Sequence, residues 1–434
     1  MSVKFRLIPL LLLAIFLAAL LNPASGEEIK TGAVYYVKAD GVINPVMAEY
    51  IVGAIKKAAD EKAEAVIIEL DTPGGLDLSM REIVKDILSS DIPIIVYVAP
   101  GGSRAASAGV FITYAANVAA MAPGTNIGSA HPVAMGGGKM DDTMAKKVEN
   151  DAVAYIKSIA AKRGRNAEWA EKAVRESVNI TAEEALKLGV IEIVAPDRFE
   201  LVGKLDGRKV DLPGGARSLN VKGAEIKDHE MNLRFRILNA ISNPNVAYIL
   251  MMIGLIGIYF ELSSPGAILP GVVGAVCLIL AFYAFQTLSI NYAGLLLIGL
   301  AIVFFIVELK VVSYGLLTIA GIVSLILGSL MLFESPAPFM RLSIWVILPT
   351  VGFMTAAILG AMYYALKIYK RKPVSGKEGL VGEVGSVVDD FEMDGKIFIE
   401  GEYWNATTDA PLKAGDKVKV VEVKGLSVKV VKAD

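Results

Sequence analysis

Cysteine and histidine are nearly missing from this chain. One thiol, Cys277, stands among 434 residues, so no disulfide can form within the chain and a cysteine-based zinc cluster is excluded. His131 and His229 are the two imidazoles, too few for any mechanism that needs several. Charge is scarce as well. Charged residues make up 20%, and 43 Lys+Arg against 45 Asp+Glu leave a net charge of −2, which gives no electrostatic basis for binding nucleic acid. Apolar residues fill the space: 54% of the chain is hydrophobic, with a mean hydropathy of +0.54. That composition excludes both an ordinary soluble protein and intrinsic disorder, and the length exceeds one typical domain.

The apolar surplus is unevenly spread. Residues 1–26 carry Lys4 and Arg6, then the apolar stretch Leu7–Leu21, then Pro23-Ala24-Ser25-Gly26. A basic start, a short apolar core and small residues describe a secretory signal cleaved near Gly26. An uncleaved anchor is the alternative, and either one exports the domain C-terminal to it. Residues 27–243 have the composition of a soluble α/β domain. Val34–Val37, Ala65–Leu70 and Ile94–Val98 read as strands, with helical stretches Val46–Asp60 and Leu78–Ser89 between them. That alternation predicts parallel pairing with crossover helices. After the strand-like Val190–Val194, a polar stretch with Gly207, Gly214, Gly215 and Gly223 reads as a hairpin and a linker.

Residues 244–367 form the membrane part. Between 246 and 366 the charged side chains are Glu261, Glu308, Lys310, Glu334 and Arg341. Breaks at Ser263–Pro265, Thr287–Asn291, Lys310–Ser313 and Glu334–Arg341 leave five expected spans, near 246–262, 268–286, 292–309, 314–333 and 344–366. Lys367, Lys370, Arg371 and Lys372 follow the last span and are expected to be cytoplasmic. With five spans the domain at 27–243 is then extracytoplasmic, in agreement with the signal, and the C-terminal part is cytoplasmic.

A repeat with an offset of 47 runs through this region: Glu261-Leu262 matches Glu308-Leu309, Leu269 matches Leu316, Gly274 matches Gly321, and Leu278–Leu280 matches Leu325–Leu327. Both glutamates fall at span ends, so interfacial structural carboxylates are expected rather than an ion path. The tail, 376–434, is soluble again. Val381–Val388, Lys396–Ile399, Lys417–Glu422 and Ser427–Val431 alternate in the strand manner between Gly395, Gly401, Gly415 and Gly425. Five or so short strands predict a small β-barrel of OB type. It lacks interleaved basic and aromatic residues, so a protein-docking or structural module is expected and not a nucleic-acid binder.

Three features of residues 27–243 carry possible chemistry. The strand ending at Leu70 runs into Asp71-Thr72-Pro73-Gly74-Gly75, where backbone N–H groups can face a cleft unobstructed by side chains. The strand Ile94–Val98 leads to Ser103-Arg104-Ala105-Ala106-Ser107-Ala108-Gly109, which places a serine at the start of a helix. Lys147 lies on the predicted helix Asp142–Arg163. Serine needs a base to become a nucleophile. The oxyanion it generates needs donors worth about 3–4 kcal/mol each, and the Gly75 and Ala108 N–H groups are candidates. On the helix, Met144, Val148, Ala152, Tyr155 and Ile159 form an apolar stripe, with Lys147 on its flank and Lys146 nearly opposite. A flanking lysine is either partly desolvated, with a lowered pKa, or an ordinary surface lysine. Each feature taken alone is better read as simple packing or, for Lys147, as an ordinary surface lysine.

In combination, Pro73-Gly74-Gly75, Ser107-Ala108-Gly109 and Ala122-Pro123-Gly124-Thr125-Asn126-Ile127-Gly128 resemble the Clp protease/crotonase superfamily. Tyr155-Ile156-Lys157, Gly164-Arg165-Asn166, Thr181–Gly189 and Gly401-Glu402-Tyr403-Trp404-Asn405-Ala406 narrow the resemblance to the long, membrane-bound NfeD proteins. The resemblance implies a Clp-like serine protease domain, a helical membrane domain and an OB-type barrel. It implies a Ser107–Lys147 catalytic dyad with no cofactor or metal. It also implies cleavage of hydrophobic segments in stomatin/prohibitin-like membrane partners, lipid surroundings, and assembly at least to dimers. His131, in Gly128-Ser129-Ala130-His131-Pro132, resembles the histidine stretch of soluble Clp proteases, so a Ser107–His131 pair is the rival base assignment, although no Asp completes a triad. His229 is expected to face solvent in the linker. The alternative from another class is a non-catalytic scaffold for stomatin-like assemblies.

Overall fold

The computed structural model describes residues 32–133, 141–263, 268–286, 288–308, 311, 313–333, 335, 340–369 and 379–433. The expected signal at 1–26 and the cationic residues 370–372 lie outside them. Two compact units, residues 1–354 and 355–434, make up the chain.

The first unit begins with alternating strands and helices: β1 (Val34–Asp40), α1 (Pro45–Asp60), β2 (Ala65–Asp71), α2 (Asp77–Ser89) and β3 (Ile94–Val98). Then come β4 (Arg104–Ala106), α3 (Ala108–Ala115), β5 (Val118–Met121), β6 (Asn126–Gly128), α4 (Asp142–Arg163), α5 (Ala167–Arg175), β7 (Asn179–Thr181), α6 (Ala182–Lys187) and β8 (Ile193–Val194). The domain ends with α7 (Arg198–Leu205), the hairpin β9 (Lys209–Leu212) and β10 (Gly215–Ser218), β11 (Ile226–His229) and α8 (Leu233–Ile241).

Local chemistry sets the helix boundaries. The Asn44 side chain accepts from the Met47 N–H at 2.8 Å, and Pro45 opens α1. Asp141 caps α4, which Gly164 ends with φ 68. A capping box of Thr181 and Glu184 starts α6.

The main sheet is parallel throughout, in the order β11-β1-β2-β3-β5-β8. Both faces are buried, as such sheets require. Val37, Ile68 and Val96 pack under residues of α1 to α4 on one face, and Tyr36, Ile67 and Tyr97 pack with α7 and the hairpin on the other. A second, small sheet, β4-β6-β7, joins the ends of the main strands through the bridge between Thr72 and Ala105.

The expected linker is not one. After the hairpin, Leu219 and Val221 are fully buried, and the chain returns as β11 to pair with β1. His229 is therefore the end of a sheet strand, half-buried and stacked on Tyr50 with ring centroids 5.6 Å apart. Solvent exposure was the wrong expectation, because period-2 burial is hard to read in a four-residue strand with two charged members.

Five helices come next: α9 (Pro244–Ser263), α10 (Leu269–Phe285), α11 (Tyr292–Glu308), α12 (Leu316–Met331) and α13 (Ile344–Tyr369). They match the positions of the five expected spans. Among the described residues, Pro244–Leu262 is long and apolar enough to cross a membrane, with 19 residues and mean hydropathy 1.8, while the apolar stretches Leu269–Phe285, Tyr292–Glu308, Leu316–Met331 and Ile344–Gly360 of the other four helices are shorter. The repeat is structural. α9 pairs with α10 and α11 with α12, and the matched glycines sit at equivalent contacts. A methyl on Gly274 would lie 3.1 Å from the Ile258 N, and one on Gly321 would lie 2.7 Å from the Phe305 ring, the same pair of positions under the repeat. Glu308 accepts from Ser313 Oγ at 2.6 Å and from the Gly315 and Thr318 N–H groups at 3.1 Å. It closes the turn into α12, a structural carboxylate as expected.

In the second unit, β12 (Val384–Val387), β13 (Asp394–Ile399), β14 (Glu402–Thr407), β15 (Lys417–Lys424) and β16 (Ser427–Lys432) close a barrel in the order β12-β13-β14-β16-β15. Ile397, Ile399, Val418, Val420, Val428 and Val430 fill it. This is the five-stranded OB arrangement. The strand β14 was not among those delineated from sequence.

Candidate active site

Ser107 stands between β4 and α3, where the small sheet meets the first turn of the helix. Its backbone takes φ 52 and ψ −111, a region that residues with a side chain seldom occupy. Strain of this kind persists where surrounding contacts hold it, and here they do. The Ser107 N–H donates to the Gly128 carbonyl at 3.2 Å, and its own carbonyl accepts from Val110 at 3.0 Å. The turn projects the side chain away from the sheet into a cleft of about 420 Å³.

The glycine turn forms the facing wall. Buried Thr72 donates from Oγ1 to the Gly74 carbonyl and accepts from the Gly74 N–H, both at 3.0 Å. The same carbonyl accepts from Ile43 N, and Leu76 N donates to the Ile43 carbonyl, which pins the turn on both sides. A methyl at Gly75 would lie 2.2 Å from the Ile43 carbonyl oxygen, so only glycine fits. The two turns each leave a donor unused: among the described residues, neither the Gly75 nor the Ala108 N–H hydrogen-bonds within the chain.

Ser107, Lys147, Gly75 and Ala108 all line this one cleft. Apolar Met80, Phe111, Ala130, Pro132, Val133 and Val148 supply most of the remaining wall. Ser335 and Met340, from the segment between α12 and α13, also line it. His131 is not part of the lining. It is exposed, and its Nδ1 lies 2.9 Å from the Val174 carbonyl.

The apolar stripe of α4 is displaced from its expected course. Its buried residues are Ala152, Val153, Ile156, Ile159 and Ala160, while Met144 is 48% exposed. The first two turns extend beyond the core and border the cleft, so Lys147 is an exposed cleft residue and not a lysine tucked over the core.

Sequence reasoning missed Asp77, Arg81 and Asp151, which also line the cleft. Arg81 Nε donates to Asp77 at 2.8 Å, its Nη2 bonds Asp151, and its guanidinium lies 4.3 Å above the Tyr155 ring. The spacing of Asp77 and Arg81 on one helix was readable; their meeting with Asp151 depends on how α2 and α4 pack. A larger cleft of about 800 Å³ lies elsewhere, between Tyr36, Glu69, Arg198 and His229. Some of its charges pair within it, as in Arg198–Asp228 at 2.8 Å, and no serine or cysteine lines it.

Three domain models match in succession: the NfeD1b N-terminal domain over residues 33–228, the NfeD integral membrane domain over 245–364, and the NfeD-like C-terminal, partner-binding domain over 377–432. The chain is 36% identical to the membrane-bound protease PH1510 of Pyrococcus horikoshii over 436 residues, covering 98% of each. It is 25% identical to the membrane protein NfeD1b of Bacillus subtilis over 431 residues, covering 95% of this chain and 96% of that one. Among solved structures, 1510-N, a membrane protease specific for a stomatin homolog from Pyrococcus horikoshii, is 38% identical, covering 48% of this chain and 98% of its own, with a TM-score of 0.43. With such identity along nearly the whole of both chains and all three domain models in order, this chain belongs to the NfeD family of membrane proteins.

Proposed function

We propose that the chain is a membrane-bound serine endopeptidase in which Ser107 is the nucleophile and Lys147 the general base. The observation that carries this reading is the cleft itself: a strained serine, a lysine and two unused backbone donors share one largely apolar cavity. The neutral Lys147 amine takes the Ser107 proton as Oγ attacks the scissile carbonyl. The Gly75 and Ala108 N–H groups hold the resulting oxyanion. The lysine then returns the proton to the departing amine, and water resolves the acyl-serine by the same path in reverse. Lys147 is exposed on the cleft wall, so the reading requires bound substrate to exclude water and favour the uncharged amine.

The apolar walls suit hydrophobic peptide segments. By likeness to the PH1510 protease and its N-terminal fragment, the expected substrate is a stomatin/prohibitin-like membrane protein. The barrel, matched by a partner-binding model, is assigned to docking such a partner. We assign residues 1–26 to the signal, 27–243 to the extracytoplasmic protease domain, 244–367 to the lipid-embedded helices and 376–434 to the cytoplasmic barrel, in an assembly of at least two copies. His131 as base is disfavoured by its bond to the Val174 carbonyl and its place outside the cleft lining. A pure scaffold has no use for a strained serine beside two unpaired N–H groups.

A fluorophosphonate probe tests the assignment. It should label Ser107 in the full chain, and Ser107→Ala and Lys147→Ala should each stop cleavage of apolar peptides. Absence of labelling together with absence of cleavage would leave the scaffold.

A further inference from the structure

The cleft contains charges that the dyad does not use. Asp151 follows Lys147 by four residues on α4, the spacing at which a carboxylate and an ammonium normally meet on a helix surface. Both line the cleft, as does Asp77 from α2. Yet among the described residues no carboxylate is within ion-pair distance of Lys147, because Arg81 binds both acids, Asp77 through Nε at 2.8 Å and Asp151 through Nη2.

Arg81 is fixed in that position. Its guanidinium lies 4.3 Å from the Tyr155 ring centroid, and Tyr155 stacks on Phe111, with centroids 6.0 Å apart, in the helix that starts beside Ser107. Several other charged groups near this end of α4 are engaged elsewhere. Arg175 of α5 bonds Glu149 and Glu171, and Lys157 bonds Glu171. Asp141 caps α4, His131 is held at the Val174 carbonyl, and Arg341 donates to the Ser335 carbonyl. Lys146 and Asp142 are exposed on the same end of α4. α3 offers no titratable group along the cleft.

We propose that Arg81 is a positioning residue for the catalytic base: by holding Asp77 and Asp151, it keeps both carboxylates from Lys147 and lets the amine lose its proton. A nearby carboxylate stabilises an ammonium and a nearby cation destabilises it. Arg81, always charged, therefore acts in one direction: it holds the acids away from Lys147, and its positive charge offsets theirs. The inference rests on the Ser107–Lys147 reading and goes beyond it, since the dyad alone demands nothing of Arg81.

The test is the pH profile of kcat/KM for an apolar peptide, measured with the full chain in lipid. Arg81→Gln releases the acids and removes the cation. Its acid limb should move up by about one pH unit, giving roughly tenfold loss at neutral pH and recovery to the native plateau at high pH. Adding Asp151→Asn should return the limb toward its native place. Asp151→Asn alone, an exposed change that disturbs no packing, should move the limb the opposite way, because Arg81 is then left less compensated. A limb that stays fixed in both single variants, with at most a pH-independent loss, overturns the inference while Lys147→Ala remains inactive. Cleavage by Lys147→Ala at close to the native rate would instead bring down the dyad and this role together.

Discussion

Gly74 and Ser107 are in contact: a methyl group on Gly74 would lie 2.8 Å from the serine Cβ and 3.2 Å from its Oγ. Gly74 also holds φ +125, where any side chain is strained. Gly74→Ala should therefore cost about 1–2 kcal/mol of stability and displace the Ser107 side chain by a few tenths of an ångström. The expected result is a folded chain whose Ser107 reacts with fluorophosphonate at least about tenfold more slowly. An unchanged labelling rate would mean that the serine does not need the position seen here.

The three candidate proton carriers should separate cleanly in single substitutions. Ser107→Ala should abolish turnover. Lys147→Ala should lower kcat by about 10²–10⁴-fold, the usual contribution of a positioned base. His131→Ala should stay within about twofold of the native rate, since its ring nitrogen serves the Val174 carbonyl. Full activity of Lys147→Ala with loss in His131→Ala would reverse the assignment.

Much of this architecture was legible in the chain. Ile94–Val98 and Asp142–Arg163 have the bounds expected of them, because a strand buried on both faces and a capped helix carry strong local signals. The serine turn and the glycine turn were legible from their small residues. Three things were not. The sheet β4-β6-β7 has strands of three residues, too short for any period to show. The exposure of Lys147 depends on α4 outrunning its core, which the stripe through Met144 could not reveal. Asp151 meets Arg81 only through the packing of α4 on α2, a contact 70 residues long in sequence.

Arg165 lies in the motif Gly164-Arg165-Asn166 and serves the fold. Its side chain is 1% exposed, with Nη1 donating to the Tyr114 and Ala116 carbonyls at 2.7 and 2.9 Å and Nη2 to Glu192 at 2.7 Å. Arg165→Leu would strand those acceptors, at a cost of about 3 kcal/mol, placed at the low end because Glu192 keeps 31% exposure. Thermal denaturation of the detergent-solubilised chain should show a clearly lower Tm. A shift smaller than about 1 °C would contradict the role.

His229 makes stability depend on pH. Its pKa is lowered from the ordinary 6.5, first by burial and then by Lys57. The unfolded chain therefore takes up the proton more readily, and stability present at neutral pH declines as pH falls below about 6.5. His229→Gln should flatten that decline in a plot of Tm against pH between about 7 and 5. Parallel curves for the two proteins would show that the ring titrates as it does in the unfolded chain.

The connection between β11 and the first membrane helix is short. β11 ends at His229, α8 covers Leu233–Ile241, and α9 starts at Pro244. A nine-residue helix is about 13 Å long, and the joints on either side leave little slack. The glycine turn after β2 rides on the same sheet and the serine turn is bridged to it through Thr72 and Ala105, so on the proposed reading the height of the cleft above the lipid is set like a mark on a ruler. A partner anchored in the same bilayer would be cut at a fixed distance from where it emerges, which makes reach a determinant of the cleavage point alongside side-chain identity.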